Sequence, residues 1–294
     1  MKKVLKVIIN ADDLGKDHEV NAQIDNALTN KNITSSSILA NNNCWEEVEM
    51  IVNKHTDASF GVHLNLTEGQ ALTNSSVLKK YGIVDESNMF TSKIKHINSF
   101  PQELQDAIYN EWSAQIETIK NHKIAISHID GHHHVHSTYG LTMVLIRLIE
   151  RYHIRSVRNC YSKPLKYLIL KRFRKSSSNN NHVSVSSNNL SVSTHSSTGR
   201  MNYLKNIMKG RIDRKRWQRQ VGKVAYLTDY FDSYETVISD LMNGMEYKKG
   251  VVVELMCHPG HSSFNNETGM VQAKRIEEFF NKVEYISYKD VCLK

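Results

Sequence analysis

The chain has 294 residues, 40% of them hydrophobic, and a formal net charge of +8. That is enough apolar material for one large domain or two small ones, and it excludes a disordered chain and a membrane-spanning one. The charge is local: Lys163–Lys223 holds fifteen Lys and Arg against the single acid Asp213, a balance of +14 that leaves −6 on everything else.

The opening MKKVLKVIINADD is basic, but Lys6 interrupts its apolar run and Asp12 ends it, too short for a secretory core. Val4–Asn10 is read as a buried strand and the protein as cytoplasmic. Val20, Ile24, Ala27 and Leu28 then recur at helical spacing. The strand-like SSSILANN follows, then a helix in WEEVEMIVNKH, then the strand ASFGVHLNLT. A polar loop runs to Pro101, which suits a first helical turn, and QELQDAIYNEWSAQIETIKNH continues that helix. Next come the strand KIAISHID, the helix LTMVLIRLIERYH and the strand IRSVRN. Beyond the basic segment, SYETVISDLMNGM reads as a helix, VVVELMCHP as a strand, VQAKRIEEFFNKV as a last helix and EYISY as a short strand.

Alternating strands and helices predict parallel βαβ units, hence an α/β fold. A (β/α) barrel is favoured over an open sheet, because the chemically capable residues fall at the C-terminal ends of several strands. No GxGxxG or Walker-type loop is present. The stretch 176–199 is almost entirely Ser, Asn and Thr and is read as a flexible insertion within one 1–294 domain. Cys44, Cys160, Cys257 and Cys292 include no CxxC pair and are expected as free thiols.

Four stretches carry potential chemistry. In SHIDGHHHVH, an extended chain would put His128, Asp130, His132, His134 and His136 on one face and His133 on the other. In NADDLG, adjacent Asp12 and Asp13 repel each other unless a positive charge lies between them. His63 alternates with apolar neighbours in FGVHLNLTEG, and His258 ends the strand in VVVELMCHPGH, before Pro259. Two His and one Asp from different strand ends form a metal site with open positions, a second carboxylate can serve as general base, and a further His as general acid. These are the parts of metal-assisted hydrolysis.

Those four motifs, in this order, resemble the YdjC/ChbG-type carbohydrate deacetylases, whose members share N-A-D-D-F-G, G-x-H-x-x-L-T, H-x-D-x-H-x-H-x-H and M-C-H-P. Leu14 stands for the commoner Phe and Gly131 for the commoner Ser, and the 176–199 insertion is a larger departure. The resemblance implies a deformed (β/α) barrel related to the polysaccharide deacetylases, with Asp13, His63 and His132 as metal ligands. It implies one divalent ion, Mg²⁺ by family habit, whereas two imidazoles suit Zn²⁺. The remaining histidines and Asp130 would orient ligands or touch substrate. The activity expected is removal of the N-acetyl group from an N-acetylglucosamine oligosaccharide, with Asp12 as base and His258 as acid. A metal-dependent phosphoesterase, or a polyanion-binding protein using the 163–223 segment, stays open as an alternative. No membrane or nucleic-acid partner is expected, and a homodimer is left open.

Overall fold

The computed structural model of the chain describes residues 4–162, 197–244, 247, 250–280 and 282–291. The strands are β1 (Val4–Leu14), β2 (Ser35–Ile38), β3 (Ser59–Leu64), β4 (Ile126–Gly131), β5 (Ser156–Val157), β6 (Tyr226–Leu227), β7 (Tyr230–Ser233), β8 (Val252–Cys257) and β9 (Lys282–Tyr285). Every ladder between these strands is parallel. The sheet runs β6-β5-β4-β3-β2-β1-β8-β7, with β9 added to β1. Its two ends, β6 and β7, are separated in sequence only by Thr228 and Asp229. One short run of chain therefore pairs first with β5 and then with β8, and curls the sheet around on itself. The expected deformed barrel is borne out.

β1 is the axis of this sheet. Lys6–Ala11 pair along one edge with β8. The other edge is divided: Val4–Val7 pair with β9, and Asn10–Leu14 pair with β2. Alternation then sorts its side chains. Leu5, Val7, Ile9 and Ala11 join the main apolar cluster under the helices. Asn10 and Asp12 enter the barrel, where the Asn10 amide donates to Asp12 at 2.8 Å and to Ser37 at 3.1 Å. The interior is thus polar: Ser35, Ser37, His63, His128, Asp130, Arg158 and Glu254 are all buried. Most barrels fill that space with branched aliphatics, so this lumen has been given up to charge.

The helices α1 (His18–Thr29), α2 (Trp45–Lys54), α3 (Ser76–Lys80), α4 (Gln102–Asn121) and α5 (Thr142–Tyr152) precede the basic region; α6 (Ser197–Val221), α7 (Tyr234–Met242) and α8 (Asn265–Gln272) follow it. α4 carries the apolar stripe Leu104, Ile108, Trp112, Ile116 and Ile119, as its spacing predicts. Two buried polar residues on the same helix fix the loop beyond β3. Gln115 bonds both backbone groups of Asn65, and Glu111 accepts from the backbone of Leu72 and Thr73.

Several parts of the pattern differ from the expectation, among them α3, which lies within the stretch read as a polar loop. The final helix is not continuous over 271–283: α8 ends at Gln272, Lys274 turns left-handed at φ 48°, and Arg275–Phe279 form a 3₁₀ turn. α6 was not expected, nor were β6 and β7. α6 buries only Trp217 and Val221 among its described side chains, while Lys215, Arg216 and Arg219 are exposed. The insertion 176–199 lies outside the described residues apart from 197–199, which begin α6. Cys44, Cys160 and Cys257 are free thiols; Cys292 lies outside the described residues.

Candidate metal centre

The end of β1 explains how adjacent aspartates reach one place. Neighbouring residues of a regular strand point to opposite faces. Between Ala11 and Leu14 the pairing with β2 shifts register, and Asp13 takes φ 72°. Positive φ in a non-glycine residue costs about 1–3 kcal/mol and tends to mark functional sites. Here the bulge turns Asp13 back so that both carboxylates are buried at the same end of the barrel.

Asp13, His63 and His132 each offer a ligand atom, and these atoms lie within 4.8 Å of one another. Asp13 Oδ1 is 3.3 Å from His63 Nε2 and 2.9 Å from His132 Nδ1. Each imidazole is fixed through its other nitrogen. His63 Nδ1 meets Asp130 Oδ1 at 2.8 Å, and His132 Nε2 meets Glu68 Oε2 at 2.9 Å. Glu68 is braced in turn by Lys16 Nζ at 2.8 Å. Carboxylates that orient ligand imidazoles in this way are usual around protein-bound metals.

The charges also suit a cation. Asp12, Asp13 and Asp130 are buried together, and Arg158 is the cation packed against them. Arg158 makes two bonds of 2.6 Å to Asp12, one of 2.9 Å to Asp130 and one of 2.6 Å to Glu254. Burial raises the Asp12 and Asp130 carboxyls, but Arg158 outweighs it and holds both below the usual range. Four buried carboxylates, those of Asp12, Asp13, Asp130 and Glu254, surround one arginine, so negative charge is in excess even though burial raises the Glu254 carboxyl. Without a metal the deficit falls on His63: burial disfavours its imidazolium, yet Asp130 and Asp12 raise it to about 10. A divalent ion would offset that excess, and the donor set fits such an ion.

The histidine-rich stretch does not stay extended. β4 ends at Gly131, and His132–Ser137 form a 3₁₀ turn in which His133 and His134 have φ 51° and 59°. The alternation reading therefore stops at the strand end, and the histidines separate. His132 enters the cluster. His133 is exposed and bonds Thr67 Oγ1 at 2.8 Å. His134 packs edge-on against Phe231, and His136 approaches the Arg158 carbonyl oxygen at 3.2 Å. His128 lies in the barrel interior, stacked on Tyr288 at 3.8 Å. Burial lowers His134 to about 4 and His128 and His136 to about 3, so these rings are neutral at physiological pH.

His258 follows β8, with its backbone N–H donating to Glu267 Oε2 at 2.9 Å and its Nδ1 at 3.2 Å from the same oxygen. Burial works against its charged form, but Glu267 and the nearby Asp12 and Asp13 raise its pKa. Arg158, Glu254, Glu68 and Glu267 were not singled out from the sequence. A glutamate inside the apolar strand VVVELMC was the available signal, because a buried carboxylate demands a buried cation.

His132→Ala should abolish stoichiometric metal binding, and His133→Ala should leave it nearly unchanged. Metal analysis of the two purified variants checks this; equal loss in both would move the ligand assignment off His132.

A family model described as YdjC-like protein matches residues 6–282. Over 150 residues the chain is 30% identical to a carbohydrate deacetylase of Oceanobacillus iheyensis, covering 51% of this chain and 63% of that protein. Over 153 residues it is 29% identical to a carbohydrate deacetylase of Vibrio cholerae, covering 51% and 57%. Each alignment thus spans less than two thirds of the relative's own length. Among solved structures, an Enterococcus faecalis V583 protein to which cellobiose-phosphate cleavage has been ascribed superposes with a TM-score of 0.65 at 20% identity, over 97% of this chain and 98% of that one. That likeness concerns the fold.

Proposed function

The chain belongs to the YdjC-like family, and from that membership and the buried Asp13–His63–His132 cluster we propose that it is a metal-dependent hydrolase removing the acetyl group from an N-acetylated amino sugar, a short N-acetylglucosamine oligosaccharide. The relatives named carbohydrate deacetylases support the substrate class. The observation that carries the reading is the buried cluster beside an ionised Asp12, with His258 within electrostatic reach of both aspartates.

A divalent ion held by Asp13, His63 and His132 would polarise the amide carbonyl and acidify a water; Mg²⁺ and Zn²⁺ both remain candidates. Asp12 then has one task, to accept the proton of the attacking water. Arg158 engages both its oxygens and Asn10 takes the second lone pair of Oδ1, which leaves one lone pair on Oδ2 to receive the proton. A carboxylate held this low is a weak base toward ordinary water, so Asp12 suits a water that is already acidified. Arg158 also fixes the carboxylate in one orientation. His258, whose pKa is raised by Glu267, donates to the departing nitrogen, which would otherwise leave as a strongly basic anion. Asp130 and Glu68 hold the two ligand rings.

Phosphoester chemistry fits less well. The guanidinium of Arg158, which could otherwise bind a phosphate, is committed to Asp12, Asp130 and Glu254. A glycoside hydrolase needs two carboxylates spaced across a sugar, a geometry that Asp12, tied to Arg158, and Asp13, within the donor cluster, do not offer. The deciding experiment is acetate release by the metal-reloaded protein from N-acetylglucosamine and its di- to tetrasaccharides. No acetate from any of them, together with hydrolysis of a phenyl phosphate ester, would replace this reading with the phosphoesterase one.

The acid assignment has a pH signature. If protonated His258 is the reactive form, kcat/KM falls as pH rises through its pKa. Glu267 raises that pKa, so Glu267→Gln should move the alkaline limb to lower pH and reduce the rate at neutrality. A limb that stays in place would remove His258 from the acid role.

A further inference from the structure

A second set of donors meets outside the barrel, at the starts of α1 and α2. A ring nitrogen of His18, the Sγ of Cys44 and a carboxylate oxygen of Glu47 lie within 4.8 Å of one another. Atoms bound to one tetrahedral zinc-sized ion at about 2.0–2.3 Å lie about 3.3–3.8 Å apart, so a side-chain adjustment of about 1 Å brings the three to one ion. Glu47 Oε1 contacts His18 Nδ1, while its Oε2 accepts from the buried Asn21 amide at 2.7 Å. The carboxylate is thereby held from behind with one oxygen turned to the imidazole and the thiol. Stability does not account for the arrangement. The His18 side chain is 84% exposed, and an exposed ion pair contributes at most about 1 kcal/mol.

We propose that His18, Cys44 and Glu47 form a second metal site, taking a borderline-soft divalent ion of the zinc class and leaving a fourth position open to water. The thiolate sets this site apart from the Asp13–His63–His132 cluster, which has no sulfur donor, and it disfavours Mg²⁺. In the metal-free protein, burial, Glu47 and Asp17 hold the Cys44 thiol above its usual pKa. Binding therefore releases a proton, and affinity rises with pH. α1 begins just beyond the strand end bearing Asp12 and Asp13, and α2 follows β2, whose Ser37 touches His63. An ion joining His18 to Cys44 and Glu47 would tie together the two loops that frame the barrel end.

Co²⁺ is the probe, because a thiolate–cobalt bond gives an intense near-ultraviolet charge-transfer band that imidazole and carboxylate ligands do not. The metal-stripped full chain is titrated with Co²⁺. The band should saturate by two equivalents in the wild type and by one in Asp13→Asn, disappear in Cys44→Ser, and require at least tenfold more Co²⁺ in His18→Ala. Absence of the band in the wild-type protein overturns the proposal, as does a band that survives Cys44→Ser, which would come from another cysteine. His18→Ala alters an exposed residue and keeps the test valid if Cys44→Ser fails to fold: an unchanged titration in that variant also overturns the proposal.

Discussion

Asp13→Asn should lose both metal and turnover, and Asp12→Asn should keep the metal while losing about 10²–10⁴-fold in rate. The contrast follows from what each carboxylate touches. Asp13 Oδ1 lies against both ligand imidazoles, whereas Asp12 is tied to Arg158 and comes no nearer to His63 than 3.9 Å. An amide at position 13 removes a charged donor from a three-donor cluster. An amide at position 12 leaves that cluster intact and removes the proton acceptor. Metal content and single-turnover acetate release on the two variants decide the assignment, and the reverse pattern would exchange the roles.

Arg158→Ala should destabilise the metal-free protein by at least about 3–5 kcal/mol, the usual cost of removing one partner from a buried ion pair. Three buried carboxylates, Asp12, Asp130 and Glu254, lose their shared cation at once. Against a total stability of about 5–15 kcal/mol, that is between about a fifth and the whole of it, and the denaturant midpoint should fall accordingly. In the wild-type protein Asp12 and Asp130 have lowered pKa values, so their contribution is present above the unfolded carboxylate pKa and is lost as pH falls. Without Arg158, burial raises the same groups and protonation relieves them. The deficit should therefore shrink between pH 7 and pH 4.5, as denaturant midpoints would show. A deficit independent of pH would mean that lost packing, not charge, is the cause.

Much of the site was legible because its residues sit at strand ends beside turns, where an apolar run breaks into His or Asp. His63 and Asp130 share a parallel register pair across β3 and β4, and alternation alone assigns both to one face. The bulge at Asp13 and the left-handed turn at His133–His134 were not legible, because the enrichment of Asp and His at positive φ is too weak to single out a position. Arg158 was passed over as one charge in a short strand; its meaning depends on Asp12 and Glu254, 146 and 96 residues distant in the chain. α6 was hidden by its composition, since its described side chains bury only Trp217 and Val221 and offer almost no apolar period to detect. The strands β6 and β7 are too short for any pattern to register.

The divided edge of β1 sets the order in which the chain can assemble. The strand bearing Asp12 and Asp13 takes β2 early, but its other edge waits for β8, and Val4–Val7 wait for β9. These contacts span most of the chain, and closing such long loops is slow. During synthesis β1 stays half-paired, an open edge of the kind that recruits other strands, until residues beyond Cys257 have left the ribosome. The metal cluster depends on the bulge at the end of that strand. The bulge belongs to the early pairing of β1 with β2, so the three donors can gather before the barrel closes, while an intermediate lacking the last two strands should aggregate through its open β1 edge.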